Sequence, residues 1–392
     1  MRAGVAGWVA AARRAHRARV GLDLVAERML SGEHAAFGYP NAGAPVSWAP
    51  VVRRGLFHRL INNIGDPWVP TAEPRNVKDM ETAVIDQLSV MFGRPTHDHG
   101  GWGCVTTGST DAILHAVMLG RDRLPGAPLI YTEATHYCAP KVAHVLGVPA
   151  LRIGTDAAGE MDYDHLARVA RGRGPLLVLA TAGTAFTEAV DQVATIRQVL
   201  ADRDHYIHLD AALTGPNLAL SPPWRHLVAG GREEGGPDSV SFSGHKMWSM
   251  PRPSAVLLAH QHDAYRWRQD VPYIASMDTT IDGSRDGQLA VMWWYLLARL
   301  GGDGLRAVFD KALGVARFCE DRLGELGLAP HRAPWGMTVM FKEPSEAVVR
   351  RFGLARDGAG WARWLAMPNR GRDDVLDLVH ALCQAGDAAR VA

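Results

Sequence analysis

Cysteine is scarce in this chain. There are four in 392 residues, at Cys104, Cys138, Cys319 and Cys383, and none falls into a paired spacing. That pattern argues against a disulfide framework or a cysteine-built metal knuckle, and free thiols point to a reducing compartment, the cytoplasm. Net charge is just as sparse. Lys and Arg total 42 against 41 Asp and Glu, leaving +1. A dedicated nucleic-acid binder needs a concentrated basic surface for its phosphate contacts, so none is expected. A small polar or anionic ligand remains compatible with this balance. No apolar run approaches the roughly 20 residues of a membrane helix, and no membrane partner is expected. Met1 to Arg19 is rich in Ala and Arg but has no apolar signal core or cleavage pattern, which reads as a surface-lying leader. Internal repeats and low-complexity blocks are also missing.

Hydrophobic residues are plentiful, at 47%, against 21% charged, enough to bury a sizeable core. From Gly103 to Leu258, short apolar runs alternate with helical stretches. Leu129–Tyr131, Leu151–Ile153, Leu176–Ala180, Tyr206–Leu209, Val240–Phe242 and Ala255–Leu258 read as strands. Asp111–Leu119, Ala139–Leu146, Tyr163–Ala170 and Val190–Leu200 read as helices. The alternation implies an α/β fold with a mostly parallel sheet covered on both faces.

Before this region, Val51–Ile61 reads as a short helix, and Val84, Leu88 and Met91 fall at helical spacing. After it, Leu289–Leu300 and Leu305–Leu323 read as long helices. Met337–Phe341 and Ala362–Met367 read as strands, and Asp373–Leu382 as a closing helix. The expected division is a supporting segment over 1–78, a large domain over 79–305 and a small α+β domain over 306–392.

Chemistry is sought just after strand ends, where open α/β sheets hold their ligands. Ser243-Gly244-His245-Lys246 follows a strand and can present an amine to the crevice; a solvent-exposed loop lysine is the other reading. His208-Leu209-Asp210-Ala211-Ala212 ends another strand, with His208 and Asp210 on one side. Asp210 suits the nitrogen of a flat ring, or else is a fold-stabilising carboxylate. Thr106-Thr107-Gly108-Ser109-Thr110-Asp111 joins a strand to a helix, offering hydroxyls and free N–H groups to a phosphate, unless Ser109 or Thr110 merely caps the helix. His136 can stack on an aromatic ring or shuttle a proton, or be structural. His97-Asp98-His99 has no evident third ligand, so no metal is expected. Arg363, between Trp361 and Trp364, is open between meeting a substrate carboxylate and lying at the surface.

A lysine for an imine, an aspartate for a ring nitrogen, a histidine for a ring face and a phosphate cradle together call for pyridoxal 5'-phosphate. At this point the chain resembles the group II pyridoxal-phosphate-dependent decarboxylases, most nearly their histidine- and serine-decarboxylase-like branch. The motifs carrying the resemblance run in order. They are Gly38-Tyr39-Pro40, Asn62-Asn63-Ile64-Gly65-Asp66-Pro67, Gly101-Trp102-Gly103, Thr135-His136-Tyr137, Gly159-Glu160-Met161-Asp162, His208 to Ala212, Ser243 to Lys246, Tyr273-Ile274, Asp278 to Arg285, and Met367-Pro368.

The resemblance implies a fold-type I enzyme of the aspartate-aminotransferase kind, with a mostly parallel seven-stranded sheet and a smaller C-terminal α+β domain. It implies a homodimer with active sites at the subunit interface, supported by the 1–78 segment. Lys246 would be the Schiff-base lysine, Asp210 the partner of the pyridine nitrogen and His136 the ring-stacking group. Gly108, Ser109, Thr110, Ala212, Ser243, His245, Thr280 and Ser284 would complete the cofactor site. Tyr273 would be the proton donor, with His136 the alternative, and Asn63, His136 and Tyr273 would bind substrate. The implied reaction is decarboxylation of a small L-α-amino acid to its amine, the substrate being histidine-like, serine-like or a specialised metabolite precursor. The alternatives are decarboxylation-dependent oxidation, transamination or elimination on the same scaffold, or a non-catalytic homologue.

The match departs from the family at the cofactor loop, usually Thr-Asn-Gly-Gly-Thr-Glu-Gly-Asn and here Thr106 to Ile113. The acidic residue is one methylene shorter, and Ala112-Ile113 replaces a small residue and asparagine. Ala182-Gly183-Thr184-Ala185 also lacks a second threonine.

Overall fold

Two strand-forming runs of the sequence, Leu176–Ala180 and Ala255–Leu258, carry no polar residue on either face, and the structure shows why. A computed structural model describes residues 19–27, 36–40, 43 and 45–387. The leader expected at Met1 to Arg19 lies outside the described residues, save Arg19. The central sheet comprises β1 (Gly101–Thr106), β2 (Leu129–Thr132), β3 (Ala150–Ile153), β4 (Leu176–Thr181), β5 (His205–Asp210), β6 (Ser239–Ser243) and β7 (Ala255–His260). Their order is β1-β7-β6-β5-β4-β2-β3, and β7 alone runs against the others.

Both faces of the inner sheet are covered, so strands such as β4 and β7 feed two cores. On β4, Leu176, Val178 and Ala180 join one apolar cluster, and Leu177 and Leu179 the other. On β7, Val256 and Leu258 oppose Ala255, Leu257 and Ala259 in the same way. Burial on both sides is what selects continuous apolar runs over polar alternation. The covering helices are α1 (Lys78–Met91), α2 (Ser109–Arg123), α3 (Ala139–Leu146), α4 (Tyr163–Ala170) and α5 (Val193–Val199).

The two long helices expected at Leu289–Leu300 and Leu305–Leu323 are both present, as the two limbs of α6 (Gly287–Glu325), which meet at a kink at Gly301, whose φ of 58° and ψ of −175° are not helical. Gly301, Gly302 and Gly304 weaken the helix there, and a kink at such a cluster has an ordinary cause. Beyond it lies the small sheet, β10 (Thr338–Lys342), β11 (Ala355–Arg356) and β12 (Trp361–Leu365), in the order β10-β12-β11, with α7 (Glu346–Phe352) and α8 (Arg372–Gln384).

Two local expectations need correction. The helix expected at Val51–Ile61 is instead Ala49–Arg53 followed by a single turn at Leu56–His58, because Gly55 takes a left-handed φ of 70° between them. A hairpin of β8 (Gln269–Val271) and β9 (Ser276–Asp278) occupies a stretch with no strand pattern.

β1, β2, β4, β5 and β6 all end at one edge of the sheet, at Thr106, Thr132, Thr181, Asp210 and Ser243. The candidate site lies there.

Candidate active site

The turn after β6 is shaped by a glycine. A Cβ on Gly244 would come 2.4 Å from Met250 Sδ and 2.6 Å from Trp293, inside contact distance, so only glycine lets the turn lie against that core. The turn delivers Ser243, His245 and Lys246 to a cleft of about 600 Å³. Opposite, α2 begins at Ser109 directly after the β1 turn, and its first N–H groups lack intrahelical partners. The Ser109 and Ser243 hydroxyls stand 2.7 Å apart across the cleft. A Cβ on Gly108 would meet nothing within 4 Å, so the loop is open on that side.

Asp210, the last residue of β5, is buried, and its Oδ1 accepts the Ala212 N–H at 3.1 Å. Burial pushes its carboxyl up, opposed by the Lys246 charge, the Ala212 N–H and His136. Burial pushes Lys246 down, opposed chiefly by Asp210. Each is driven toward its neutral form and held from it by the other. His136 lines the same cleft; its Nδ1 accepts the Cys138 N–H at 3.3 Å, and its ring lies 4.1 Å from that of Tyr137. Burial lowers its pKa. His245 Nδ1 lies 3.1 Å from both the backbone N and O of Ser254, which fixes the ring.

The cleft also holds two acids. Asp111 accepts the N–H and hydroxyl of Thr107 at 3.1 and 3.2 Å, and its carboxyl is within hydrogen-bonding reach of Asp282. Burial and then the Asp282 charge push the Asp111 carboxyl up.

Gly108, Ser109, Thr110, His136, Asp210, Ala212, Ser243, His245 and Lys246 all line this one cleft. The remaining expected site residues do not. Asn63 is buried in the scaffold, where Nδ2 donates to Glu81 and Oδ1 accepts the Val77 N–H, each at 2.8 Å. Both ends of its amide are used, which corrects its placement beside substrate. Thr280 is buried and donates to Asp278 and to the Asp282 carbonyl at 2.7 and 3.0 Å, bracing a turn instead of facing the cleft. Ser284 accepts from Asn62 at 3.2 Å. Tyr273 is 82% exposed, at the tip of the β8–β9 hairpin, away from its own chain's cleft.

The 278–285 segment nevertheless shapes the site, because it carries Asp282. It is held from beneath: Thr279 donates to Asp66 at 2.5 Å, His115 Nε2 lies 3.2 Å from the Thr279 carbonyl, and Arg285 pairs with Glu81. The Asp111–Asp282 contact was hidden in the sequence because its partners are 171 positions apart, from 282 less 111, with no shared motif. Glu188, a buried acid with no periodic context, was missed too. A larger groove of about 840 Å³ lies elsewhere, walled by Pro45, Val51, Trp294 and Tyr295, and holds none of this titratable cluster.

Residues 56–328 match the pyridoxal-dependent decarboxylase conserved domain. The chain belongs to this family. It is 33% identical over 352 residues to histidine decarboxylase of Vibrio anguillarum, covering 86% of this chain and 88% of that relative. It is 32% identical to serine decarboxylase 3 of Oryza sativa, covering 84% and 74% respectively. L-methionine decarboxylase from Streptomyces sp. 590 shares the fold, with a TM-score of 0.81 at 23% identity over 94% of this chain and 95% of that one.

This decarboxylase is therefore a fold-type I carboxy-lyase that uses pyridoxal 5'-phosphate and acts on a small amino acid. The cleft fits the cofactor. It combines a helix N-terminus with facing hydroxyls for a phosphate, a buried carboxylate for a ring nitrogen, and a half-buried amine for a carbonyl carbon. Among the described residues, no cluster of His, Cys, Asp and Glu forms a metal site, and no helix is long and apolar enough to cross a membrane.

Proposed function

We propose that this decarboxylase converts a small polar L-α-amino acid, histidine- or serine-like, to its amine, with Lys246, Asp210 and His136 as catalytic residues. The observation that carries the reading is the convergence of Lys246, the buried Asp210 and His136 in one cleft beside a helix N-terminus. The names of the curated relatives support the substrate class.

When bound, the cofactor ring supplies an electron sink for the pair left on Cα as carbon dioxide departs. Lys246 Nζ, its pKa lowered by burial, offers a larger fraction of free amine for the cofactor's carbonyl carbon at neutral pH. Asp210 would hold the proton on the ring nitrogen through a charge-assisted hydrogen bond. His136, which lines the same cleft, would lie against the ring face. The free N–H groups at the start of α2, with Ser109, Thr110, Ser243 and His245, would hold the phosphate, and Gly108 would leave it room.

Arg363 on β12 orients the substrate's carboxylate. It is nearly buried, its charge is felt at Lys246, and its guanidinium lies 4.8 Å from the Phe186 ring centre. Among the described residues its hydrogen bond is from Nε to the Gly38 carbonyl at 2.9 Å, leaving its outer edge for an anion.

Tyr273 serves a neighbouring subunit's cleft as proton donor to Cα, which requires a homodimer with interface active sites. Its exposure and its distance from its own cleft support this. The domain division at 1–78, 79–305 and 306–392 places the second boundary just past the Gly301 kink. Free cysteines support a cytoplasmic location.

The test is incubation of the cofactor-loaded protein with pooled amino acids, following carbon dioxide and products by mass spectrometry. An amine lighter than its parent by one carbon dioxide, formed without oxygen uptake, is the expected result. A keto acid, an aldehyde or oxygen consumption would sink the reading.

A further inference from the structure

The loop after β4 folds back on itself and ends in a residue in an unfavourable conformation. Ala182 bridges to Val190, and the Gly183 and Thr184 N–H groups both donate to the Ala189 carbonyl, at 2.9 and 3.1 Å. The loop is seated hard against the large domain: a Cβ on Gly183, whose φ is 101°, would fall 2.3 Å from Thr214 Oγ1. Near its end, Glu188 takes a φ of 51°, the left-handed region that disfavours residues bearing a Cβ. It is also fully buried. A strained backbone and a buried acid at one position require compensation from the surroundings.

The compensation comes from two directions. From the large domain, the Thr214 hydroxyl donates to Glu188 Oε2 at 2.6 Å. From the small sheet, the Met337 and Thr338 N–H groups both donate to Oε1, at 2.9 and 2.5 Å, and Trp335 Nε1 donates to the Glu188 carbonyl at 2.9 Å. One carboxylate thus spans the two sheets at the start of β10. The neighbouring β12 pairs with β10 so that Met340 faces Arg363. Phe186, from the same loop as Glu188, lies under the Arg363 guanidinium, and the Glu188 charge is the main one favouring its ionised form. The loop therefore holds both the backbone of β10 and the side chain of Arg363.

We propose that Glu188 is a positioning residue for the decarboxylation: it pins β10 to the loop after β4 and so sets the place of Arg363 relative to Lys246. The inference rests on the reading of Arg363 as the anchor of the substrate carboxylate. Glu188 itself touches neither substrate nor cofactor. Its strain is tolerated because no glycine could make the hydrogen bonds of its carboxylate.

The test compares Glu188→Gly, Glu188→Gln and Arg363→Gln in the cofactor-loaded enzyme. Glycine relieves the backbone and removes the pin. Glutamine keeps the backbone strained, but its Oε1 accepts the same two N–H groups and its Nε2 donates to Thr214. The first readout, amide hydrogen exchange at Met337 and Thr338, needs no substrate. It is expected to speed up about tenfold or more in Glu188→Gly and to stay near wild type in Glu188→Gln. The second is titration of the cofactor's visible band with L-histidine, L-serine and L-methionine, each beside its methyl ester, which lacks the anionic carboxylate.

Glu188→Gly is expected to lose about tenfold in affinity for the free amino acid relative to the ester, with Glu188→Gln restoring the ratio. Unchanged exchange in Glu188→Gly, or equal losses for acid and ester, would overturn the proposal. If Arg363→Gln leaves the acid-to-ester ratio unchanged, the carboxylate-anchor reading of Arg363 fails. If Arg363→Gln lowers the ratio and Glu188→Gly does not, the role given to Glu188 fails and that of Arg363 stands.

Discussion

The two edges of the central sheet carry the same kinds of charged residue and treat them in opposite ways. At the edge where β6 begins, Asp238 is buried and receives Arg123, Arg197 and Arg232 at 3.1, 3.1 and 2.7 Å, while Ile207 donates its N–H at 2.8 Å. Arg94 adds hydrogen bonds to the Pro237 and Asp238 carbonyls, at 2.9 and 2.7 Å. Burial works against the Asp238 charge, yet Arg197 and its neighbours hold the carboxyl below its usual value. At the edge where β5 and β6 end, Asp210 has one backbone N–H and a lysine, and burial wins: its carboxyl is pushed up.

The start edge spends its charges on the chain's own loops, closing Gly230 to Asp238 over the strands. The end edge leaves donors and acceptors facing a cleft. Burial is similar in both; the number of partners decides whether a charged group is structural or available.

The largest effect that would sharpen this contrast is at Lys246. Lys246→Ala is expected to abolish amine formation and the visible band of the bound cofactor, while leaving the unfolding midpoint of the apoprotein unchanged or higher. Retained turnover would remove the proposed role.

The same substitution at both edges comes next. Asp210→Asn is expected to lower kcat about 100- to 1,000-fold, the range for losing a buried electrostatic contact to the charge that builds during reaction. Asp238→Asn is expected instead to cost about 3–5 kcal/mol in denaturant unfolding, since it strands buried arginines. The kcat of the folded Asp238→Asn enzyme should stay within a few-fold of wild type. A reversed pattern would break the comparison.

His208 lies on β5 between the two edges, its ring nitrogens 2.8 and 3.0 Å from the Ser239 and Ser241 hydroxyls, and burial pushes its pKa from 6.5 down to about 3. The unfolded chain then binds a proton that the folded chain refuses. Stability is full above the unfolded value and declines as pH falls below it, by about 2 kcal/mol between roughly pH 7 and 5. His208→Gln should flatten that part of the pH–stability curve; an unchanged slope would assign it to other groups.

The smallest effect is at the hydroxyl pair. Ser243→Ala is expected to weaken cofactor binding about tenfold, measured by equilibrium dialysis, with little change in kcat at saturating cofactor. A drop in kcat alone would move Ser243 from phosphate binding to the chemistry.

Much of the fold was legible because burial on both faces writes itself into the sequence. The run Leu176–Ala180 has no polar residue, and β4 occupies it with one further residue, Thr181. Helices α3 and α4 lie over Ala139–Leu146 and Tyr163–Ala170 as their periodicity implied. The two limbs of α6 were legible as separate helices because the glycines at 301, 302 and 304 mark the kink between them. β8 and β9 left no signal, since short exposed strands have no face to bury.

The site divides along the same line. The sequence by itself determined the residues that follow strand ends, because local turn chemistry keeps Ser109, Asp210, Ser243 and Lys246 beside glycines and small residues whatever packs around them. It also determined the family, through motifs met in order. Tertiary structure alone decided the contacts that join distant segments. It turned Asn63 inward to Glu81, set Asp282 against Asp111, put Tyr273 outside its own cleft, and brought Glu188 to the first residues of β10. Such contacts bind residues far apart along the chain, each unremarkable in its own neighbourhood. Their strength comes from burial and from a partner that only the folded chain supplies.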